Sequence, residues 1–456
     1  MRPSTLSART IRRSFSNNRS NGGVLVLNCG SSSVKYEVVS VHESSSARGT
    51  RREGRTKGTI ERLTGREYSD CVREVLREVC AGDSVRAVGH RFVNGGSAFS
   101  APLIVTDEAE RQLQDLFPLA PLHNPHNLRG IQLCKEVFPN VDHVAVFDTA
   151  FHNTIPPHVH LYPLPLEISL AHRIRKYGFH GISYSYVSDR LYSILSTNSC
   201  DFRERDQQAI IFHLGSGCSA AAVSLSFCPV DETPKYTCRD TTMGFTPLGG
   251  LMMATRCGSL DPSVIGHLSS ALEGGMPTIM DILNKKSGLL GVSGLSHDFR
   301  DVVNAAYPND SAPDDSTETS VDKKYSVACG MRRSDNGDRK EISRDGVLED
   351  IQQRCVLALD MFAHQAAREM LALVAALPGP LNAIVFTGGI GENSSLIRKK
   401  ILSHLKCFES MSLDDARNER NDEVISTSSS SIMLLVVPTD EELQIARETL
   451  RVVGQR

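Results

Sequence analysis

Arg91 and Asp148 each stand at the end of an apolar run, where an ordinary core would place no charge. "RAVGHRFVNGG" (86–96) delivers Arg91 next to a glycine pair, and "HVAVFDTAFH" (143–152) delivers Asp148 directly after four apolar residues. A guanidinium can grip a carboxylate or phosphate through two parallel hydrogen bonds. Arg256, in "GFTPLGGLMMATRCGSLDP", is a second arginine in a glycine- and apolar-rich setting. A lone arginine is ordinarily a surface ion-pair partner, but the flanking turn residues place these two at a cleft. His180, in "YGFHG", is by itself better read as a hydrogen-bonded core histidine than as a catalytic one.

Phosphate chemistry is the natural complement of such arginines. In "VLVLNCGSSSVKYEVVSV" (24–41) an apolar run drops into Asn28-Cys29-Gly30 and three serines, and an extended pattern resumes after Lys35. Glycine and small hydroxyl residues let backbone N–H groups approach an anion closely. The Walker pattern, which opens a helix, is absent. "AIIFHLGSGCSAAAVSLS" (209–226) repeats the layout of strand, Gly/Ser turn and strand. A third glycine turn, Gly388 to Gly391, follows a strand and precedes a helix marked by Ile397, Ile401 and Leu405. Such a turn lets a flat adenosine lie against backbone, and a helix N-terminus favours an anion.

The elements that must position these residues alternate between strands and helices such as 354–377, so the class is α/β. Two similar hairpins nearly half a chain apart imply a duplicated fold. The last segment opens with Thr439 and Glu442 at capping-box spacing. Leu443, Ala446, Leu450 and Val453 then mark one face of an amphipathic helix. The basic stretch 46–58 and the serine run 427–431 read as loops. The polar stretch 309–346 reads as a disordered surface insertion.

Composition bounds the partners. The 456 residues carry 40% hydrophobic residues and a net charge of -3, an ordinary globular balance that gives no support to nucleic acid as a partner. The 12 cysteines form no C-x-x-C pair, so neither a zinc site nor a disulfide framework is indicated. No run reaches the roughly 18 apolar residues of a membrane span. Residues 1–21 are rich in Arg and Ser, and the chain has no acidic residue before Glu37. That composition reads as a mitochondrial or other organelle address; without one, the chain would be cytoplasmic.

The ordered motifs "LNCGSSSVKY", "GHRFVNGG", "APLHNPHN", "VAVFDTAFH", "YGFHGIS", "HLGSGCS", "KKSGLLGVSG", "FTGGIGENSSLIR" and "PTDEELQIARET" resemble the acetate kinase family from about residue 24 to 450. The resemblance implies a duplicated RNase H-like fold of the actin-like ATPase superfamily, two-lobed, with the nucleotide cleft between the lobes. One lobe would span 22–157, completed by a C-terminal helix at 441–454, and the other 158–440. The implied reaction is Mg²⁺-dependent phosphoryl transfer between ATP and acetate, giving ADP and acetyl phosphate, in a homodimer. Position by position, it places Asn28 and Glu441 near Mg²⁺ and Lys35 near the nucleotide phosphates. Arg91 would grip the substrate carboxylate, with Val93, Leu122, Phe179 and Pro247 around its methyl group and His123 nearby. Asp148, His180 and Arg256 would be catalytic. The nucleotide would meet His213, Leu214, Gly215, Ser216 and Gly217, then Asp298, Phe299 and Arg300, then Gly389, Ile390, Gly391, Glu392 and Asn393.

Acetate is already an anion at pH 7, so no proton has to leave and Asp148 is expected to orient metal-bound water and the arginines. The chain departs from the family's habit at Ser216, Tyr184, Asn94 and Gly249, where Asn, His, His and Glu are usual. Rival readings are a propionate or butyrate kinase, a relative using diphosphate, and a non-catalytic actin-like nucleotide-binding protein.

Overall fold

The computed structural model describes residues 23–30, 33–42, 51–61, 69–70, 72–73, 76, 85–198, 205–230, 233–308 and 350–455. The proposed address at 1–21 and the insertion at 309–346 lie outside these residues, as do Ser31 and Ser32 at the first hairpin tip. The chain divides into two compact units. One runs to Ser193 and regains the chain from Thr439 onward; the other is Ile194–Pro438.

The first unit holds β1 (Gly23–Cys29), β2 (Ser33–His42), β3 (Arg51–Glu61), β4 (Val85–Phe92), β5 (Leu103–Ile104) and β6 (Asp142–Phe147). These form one sheet of order β3-β2-β1-β4-β6-β5. The second holds β7 (Gln207–Leu214), β8 (Cys218–Cys228), β9 (Thr233–Thr241), β10 (Ala383–Thr387) and β11 (Met433–Val436), in the order β11-β10-β7-β8-β9. Each sheet contains an antiparallel three-strand meander followed by two strands parallel to its first, and the first sheet adds β5, antiparallel to β6, at its edge. The duplication legible in the hairpins is therefore a duplication of whole sheets.

Both faces of the first sheet are covered, which is why Val24 to Leu27 are all apolar and all buried. Leu25, Leu27 and Cys29 pack with Leu133 and Cys134 of helix α1 (Asn124–Val137). Val24 and Val26 pack on the opposite face, with Ile182 of helix α2 (Gly181–Asn198) and the C-terminal helix (Glu441–Gly454). Gly89 lets that C-terminal helix lie on β4, since a Cβ there would stand 2.7 Å from Ile445 Cγ2. Each such apolar side chain contributes about 1.5–3 kcal/mol on burial. In the second unit a long helix, Ile351–Val374, lies on β7 and β8.

Several local expectations are corrected. The basic stretch 46–58 is not all loop: Arg51–Glu61 pairs antiparallel with β2. As the edge strand it can carry charge that a central strand could not. The C-terminal helix is capped by Asp440, which accepts from the Leu443 N–H at 3.0 Å, so the Thr439–Glu442 box is not used. Thr439 Oγ1 instead meets Ser183 Oγ at 2.8 Å. The segment after β10 is two helices, Gly388–Asn393 and Ser395–Ser403, because Ser394 starts a new turn by accepting from Ile397 N–H. The serine run is a turn tied back by a Ser431 N–H to Ser410 C=O bond of 2.9 Å. The described cysteines are free thiols, and no described helix is long and apolar enough to cross a membrane.

Candidate active site

Strand register assembles the first unit's polar residues. Asn28 pairs with Lys35, Leu27 with His90, and Arg91 with Val146. Lys35, Asn28, Arg91 and Val146 therefore fall in one row, and partners in a row project to the same face. That face is the one under the C-terminal helix, and the row lies at the carboxyl ends of β1, β4 and β6. Ligands in α/β sheets meet the protein at this edge.

Arg91 and Asp148 form the core of the cluster. Arg91 Nη2 donates to Asp148 Oδ2 at 2.6 Å, and Nε lies 3.1 Å from each carboxylate oxygen. Asp148 is 1% exposed. Its charge, with those of Glu441 and Glu442, outweighs burial and pushes the Arg91 guanidinium above its ordinary value. Nη1 makes no hydrogen bond to another described residue. Glu441, at the first turn of the C-terminal helix, is shifted the other way. Burial and the neighbouring Glu442 raise its carboxyl above the usual range, although Arg91 and Lys35 pull it down.

The backbone around Asp148 locks the next catalytic candidate. Asp148 C=O accepts from Gly181 N–H at 2.9 Å. His180 is held at φ 60°, in the left-handed region. Such a conformation costs of order 1 kcal/mol or more and persists where surroundings impose it. His152 Nε2–H donates to Phe179 C=O at 2.9 Å, fixing the residue before His180. Burial depresses His152 to about 4. Phe179 and Val93 are buried, His123 is half-buried, and Leu122 is 65% exposed. Tyr184 is wholly buried against Phe151 and His152, and Asn94 is buried with its Oδ1 accepting from Gly96 N–H. Both unusual residues thus have structural work.

In the second unit the hairpin tip Gly215-Ser216-Gly217 is closed by a Gly215 N–H to Gly217 C=O bond of 3.1 Å. Ser216 C=O accepts from Ala254 N–H at 3.2 Å, which ties the tip to the segment carrying Arg256. Arg256 Nη1 donates to Pro247 C=O at 3.1 Å. The buried Cys218 thiol beside it, pushed up to about 12, is the ionisable group that bears on this guanidinium; burial lowers Arg256 from its ordinary value. Gly388, at φ 77°, sits where a Cβ would stand 2.7 Å from Leu214 C=O, so the glycine turn abuts the base of the hairpin and His213. Glu392 folds back to accept from Gly388 N–H at 2.9 Å. Behind the turn, fully buried Arg398 donates to the C=O groups of Gly391 and Glu392 and to Asn418 and Asn421.

Asp298, Phe299 and Arg300 are placed differently. Asp298 caps the helix Phe299–Ala306, and its 2.6 Å ion pair with Arg300 holds it down to about 2. That helix packs chiefly on the helices Gly288–Ser293 and Ile351–Val374 rather than on the hairpin. Sequence reasoning assigned nothing to His152, Asn127 or Cys218. Each lies inside or beside a quoted motif, but its partner is a backbone group that no spacing identifies.

A hard-oxygen cation fits the first cluster. Asn28 offers an amide oxygen and Glu441 a carboxylate whose ionised form is disfavoured as it stands, a strain that a divalent cation relieves. Among the described residues no group of three or more His, Cys, Asp or Glu is placed to hold a metal by itself. Mg²⁺ takes one or two protein ligands plus water and phosphate oxygens.

Two α/β sheets that share one strand order, apart from the added edge strand β5, fit a phosphotransferase of the actin-like ATPase class. The chain belongs to the acetokinase family, whose profile matches residues 23–323 and 315–447. It is 37% identical to the acetate kinase of Thermoanaerobacterium thermosaccharolyticum over 94% of this chain and 98% of that one. It is 38% identical to an acetate kinase of Methanosarcina mazei, over 93% and 96%. Among solved structures, a Francisella tularensis propionate kinase matches with TM-score 0.73 and 33% identity, covering 95% of this chain and all of that one. The Porphyromonas gingivalis acetate kinase matches with TM-score 0.72 and 32% identity at the same coverage.

These relatives correct one expectation. The curated ones are bacterial or archaeal, from cells without mitochondria or plastids, and give no precedent for import. Residues 1–21 are accordingly not read as an organelle address.

Proposed function

We propose that the chain transfers the γ-phosphoryl group of ATP reversibly to acetate, giving acetyl phosphate and ADP. The observation that carries this reading is the Arg91–Asp148 pair beside Glu441 at the carboxyl edge of the first sheet, in a chain of the acetokinase family. A carboxylate oxygen of acetate attacks the γ-phosphorus while the bond to the β–γ bridging oxygen breaks, and ADP leaves with that electron pair. Acetate is ionised at neutral pH, so no base is required. Catalysis is then positioning and charge stabilisation.

Asp148 holds Arg91 by Nε and Nη2, which presents Nη1 to the acetate carboxylate. Val93 and Phe179 give the methyl group an apolar wall. Arg256, which pairs with no carboxylate among the described residues, would by the family resemblance meet the charge on the transferring phosphoryl oxygens, and His180 would be a further donor. Lys35 and the Gly215–Gly217 tip hold phosphate, and Gly389 to Asn393 lie against the adenosine. Asn28 and Glu441 would hold Mg²⁺, which when bound neutralises phosphate charge. The family resemblance adds a homodimer, which sedimentation tests.

The deciding experiment is a hydroxamate assay for acyl phosphate with formate, acetate, propionate and butyrate, with and without ATP and Mg²⁺. Acetate should give the highest kcat/KM. Acyl phosphate from none of the acids would overturn the reading, and a preference for propionate would move it to the longer acid.

A further inference from the structure

The two asparagines of "HNPHN" (123–127) take no part in the chemistry above, yet both are buried. They stand in the first turns of α1, where asparagine is a poor helix former because its side chain competes for backbone groups. Here both side chains spend their bonds outside the helix. Asn127 Oδ1 accepts from Val93 N–H at 3.0 Å, and its Nδ2 donates to Cys29 C=O at 2.7 Å. Asn124 Oδ1 accepts from Asn94 N–H at 3.2 Å, and its Nδ2 donates to Asn94 C=O at 3.0 Å and Leu116 C=O at 3.1 Å.

What Asn127 joins is specific. Cys29 closes β1 immediately before the phosphate turn at Gly30, and Val93 follows β4 and lines the acyl site. The pairing of β1 with β4 ends at Leu27↔His90, so no ladder bond ties Cys29 to Val93. One buried amide replaces it. The amide orientation follows from its partners, since one is a donor and the other an acceptor.

The geometry points to Asn127 as a positioning residue that fixes the spacing between the phosphate hairpin and the acyl pocket, with Asn124 holding the adjoining turn at Asn94. This rests on the reaction proposed above. The role is readable because its two bonds can be separated. Asn127→Asp keeps an acceptor for Val93 N–H but sets a carboxylate oxygen against Cys29 C=O. Asn127→Ala removes both bonds.

The test is steady-state kinetics of wild type, Asn127→Asp and Asn127→Ala with ATP and with acetate or propionate, alongside calorimetric titration with MgADP and urea unfolding. Asn127→Asp should raise the ATP KM and the MgADP Kd about tenfold, the loss of one buried bond. Its propionate-to-acetate ratio of kcat/KM should stay near wild type. Asn127→Ala should move both the nucleotide constants and that ratio. Folded variants with unmoved nucleotide constants, or with kcat lowered and both KM values and the ratio kept, overturn the proposal. So does failure of both variants to fold, which assigns the amide to stability alone. A wild type that makes no acyl phosphate fells the reaction itself, and the MgADP titration then still reads the hairpin side of the tie.

Discussion

Asp148→Asn is the most telling perturbation of the first cluster, because it removes a charge while almost preserving shape. The carboxylate is 1% exposed and takes three contacts from Arg91, between 2.6 and 3.1 Å. Removing one partner of a buried pair costs about 3–5 kcal/mol, since the other charge is left uncompensated. Glu441 still acts on Arg91, and an Asn oxygen still accepts one bond, which brings the expected loss to about 3 kcal/mol. At 1.4 kcal/mol per tenfold, an equal misplacement of Arg91 in the transition state lowers kcat/KM for acetate about 100-fold. Urea unfolding reads the first quantity through its midpoint at constant m, and the hydroxamate assay reads the second. The pH–rate profile should keep its form, because acetate surrenders no proton. A stability loss below about 1 kcal/mol would refute the pair's energetics. A lost ionisation with metal affinity unchanged would make Asp148 a base and refute its positioning role.

Arg256→Ala should separate catalysis from stability: no carboxylate among the described residues is orphaned, so the urea midpoint should hardly move, while transition-state binding falls by about 3–5 kcal/mol. A loss under tenfold in kcat/KM would remove Arg256 from the charge clamp. His152 is depressed from 6.5 to about 4, so the unfolded chain binds the extra proton first and stability falls as pH drops through that window. The contribution is about 3 kcal/mol, steepened by buried His90 and His143, which are lowered as well. Acid unfolding of His152→Gln should therefore be shallower, and an unchanged profile counts against it. Glu441 is raised, so its contribution is present below the ordinary carboxylate range and lost as pH rises through its folded value. Glu441→Gln should stabilise the metal-free protein at neutral pH while weakening Mg²⁺ activation; calorimetry with and without Mg²⁺ checks both signs. Arg398→Ala should cost about 3 kcal/mol or more in urea and raise the ATP KM, and Arg398→Lys should not restore either, since its single ammonium cannot supply the fork.

The hairpins, the duplicated fold and the polar ends of β4 and β6 were legible because each breaks a rule that core sequence otherwise keeps. Charge after an apolar run, and glycine with serine between two strands, are local contradictions. Edge strand β3 was not legible, since its arginines and lysine carry no alternating apolar signal and its partners lie across a loop in β2. The capping box failed for a related reason. Thr439 and Asp440 are adjacent candidates, and a tertiary contact with Ser183 takes one of them out of the competition.

What stayed hidden in the site follows one pattern: side chains whose partners are backbone groups brought near only by the fold. His152 reaches Phe179 C=O, Asn127 reaches Cys29 C=O and Val93 N–H, and Arg398 reaches the carbonyls ending the glycine turn. Backbone partners have no residue type, so no pairing of letters announces them. Each nevertheless acts on a segment that sequence did identify. Phosphoryl transfer gains most from such fixed placement, because the protein supplies no covalent chemistry and a loop displaced by an ångström loses its grip on developing charge. The residues that touch the reactants are therefore only half of the inheritance. A chain that kept Arg91, Asp148 and Arg256 but lost these three backbone clamps should fold, bind nucleotide weakly and turn over slowly.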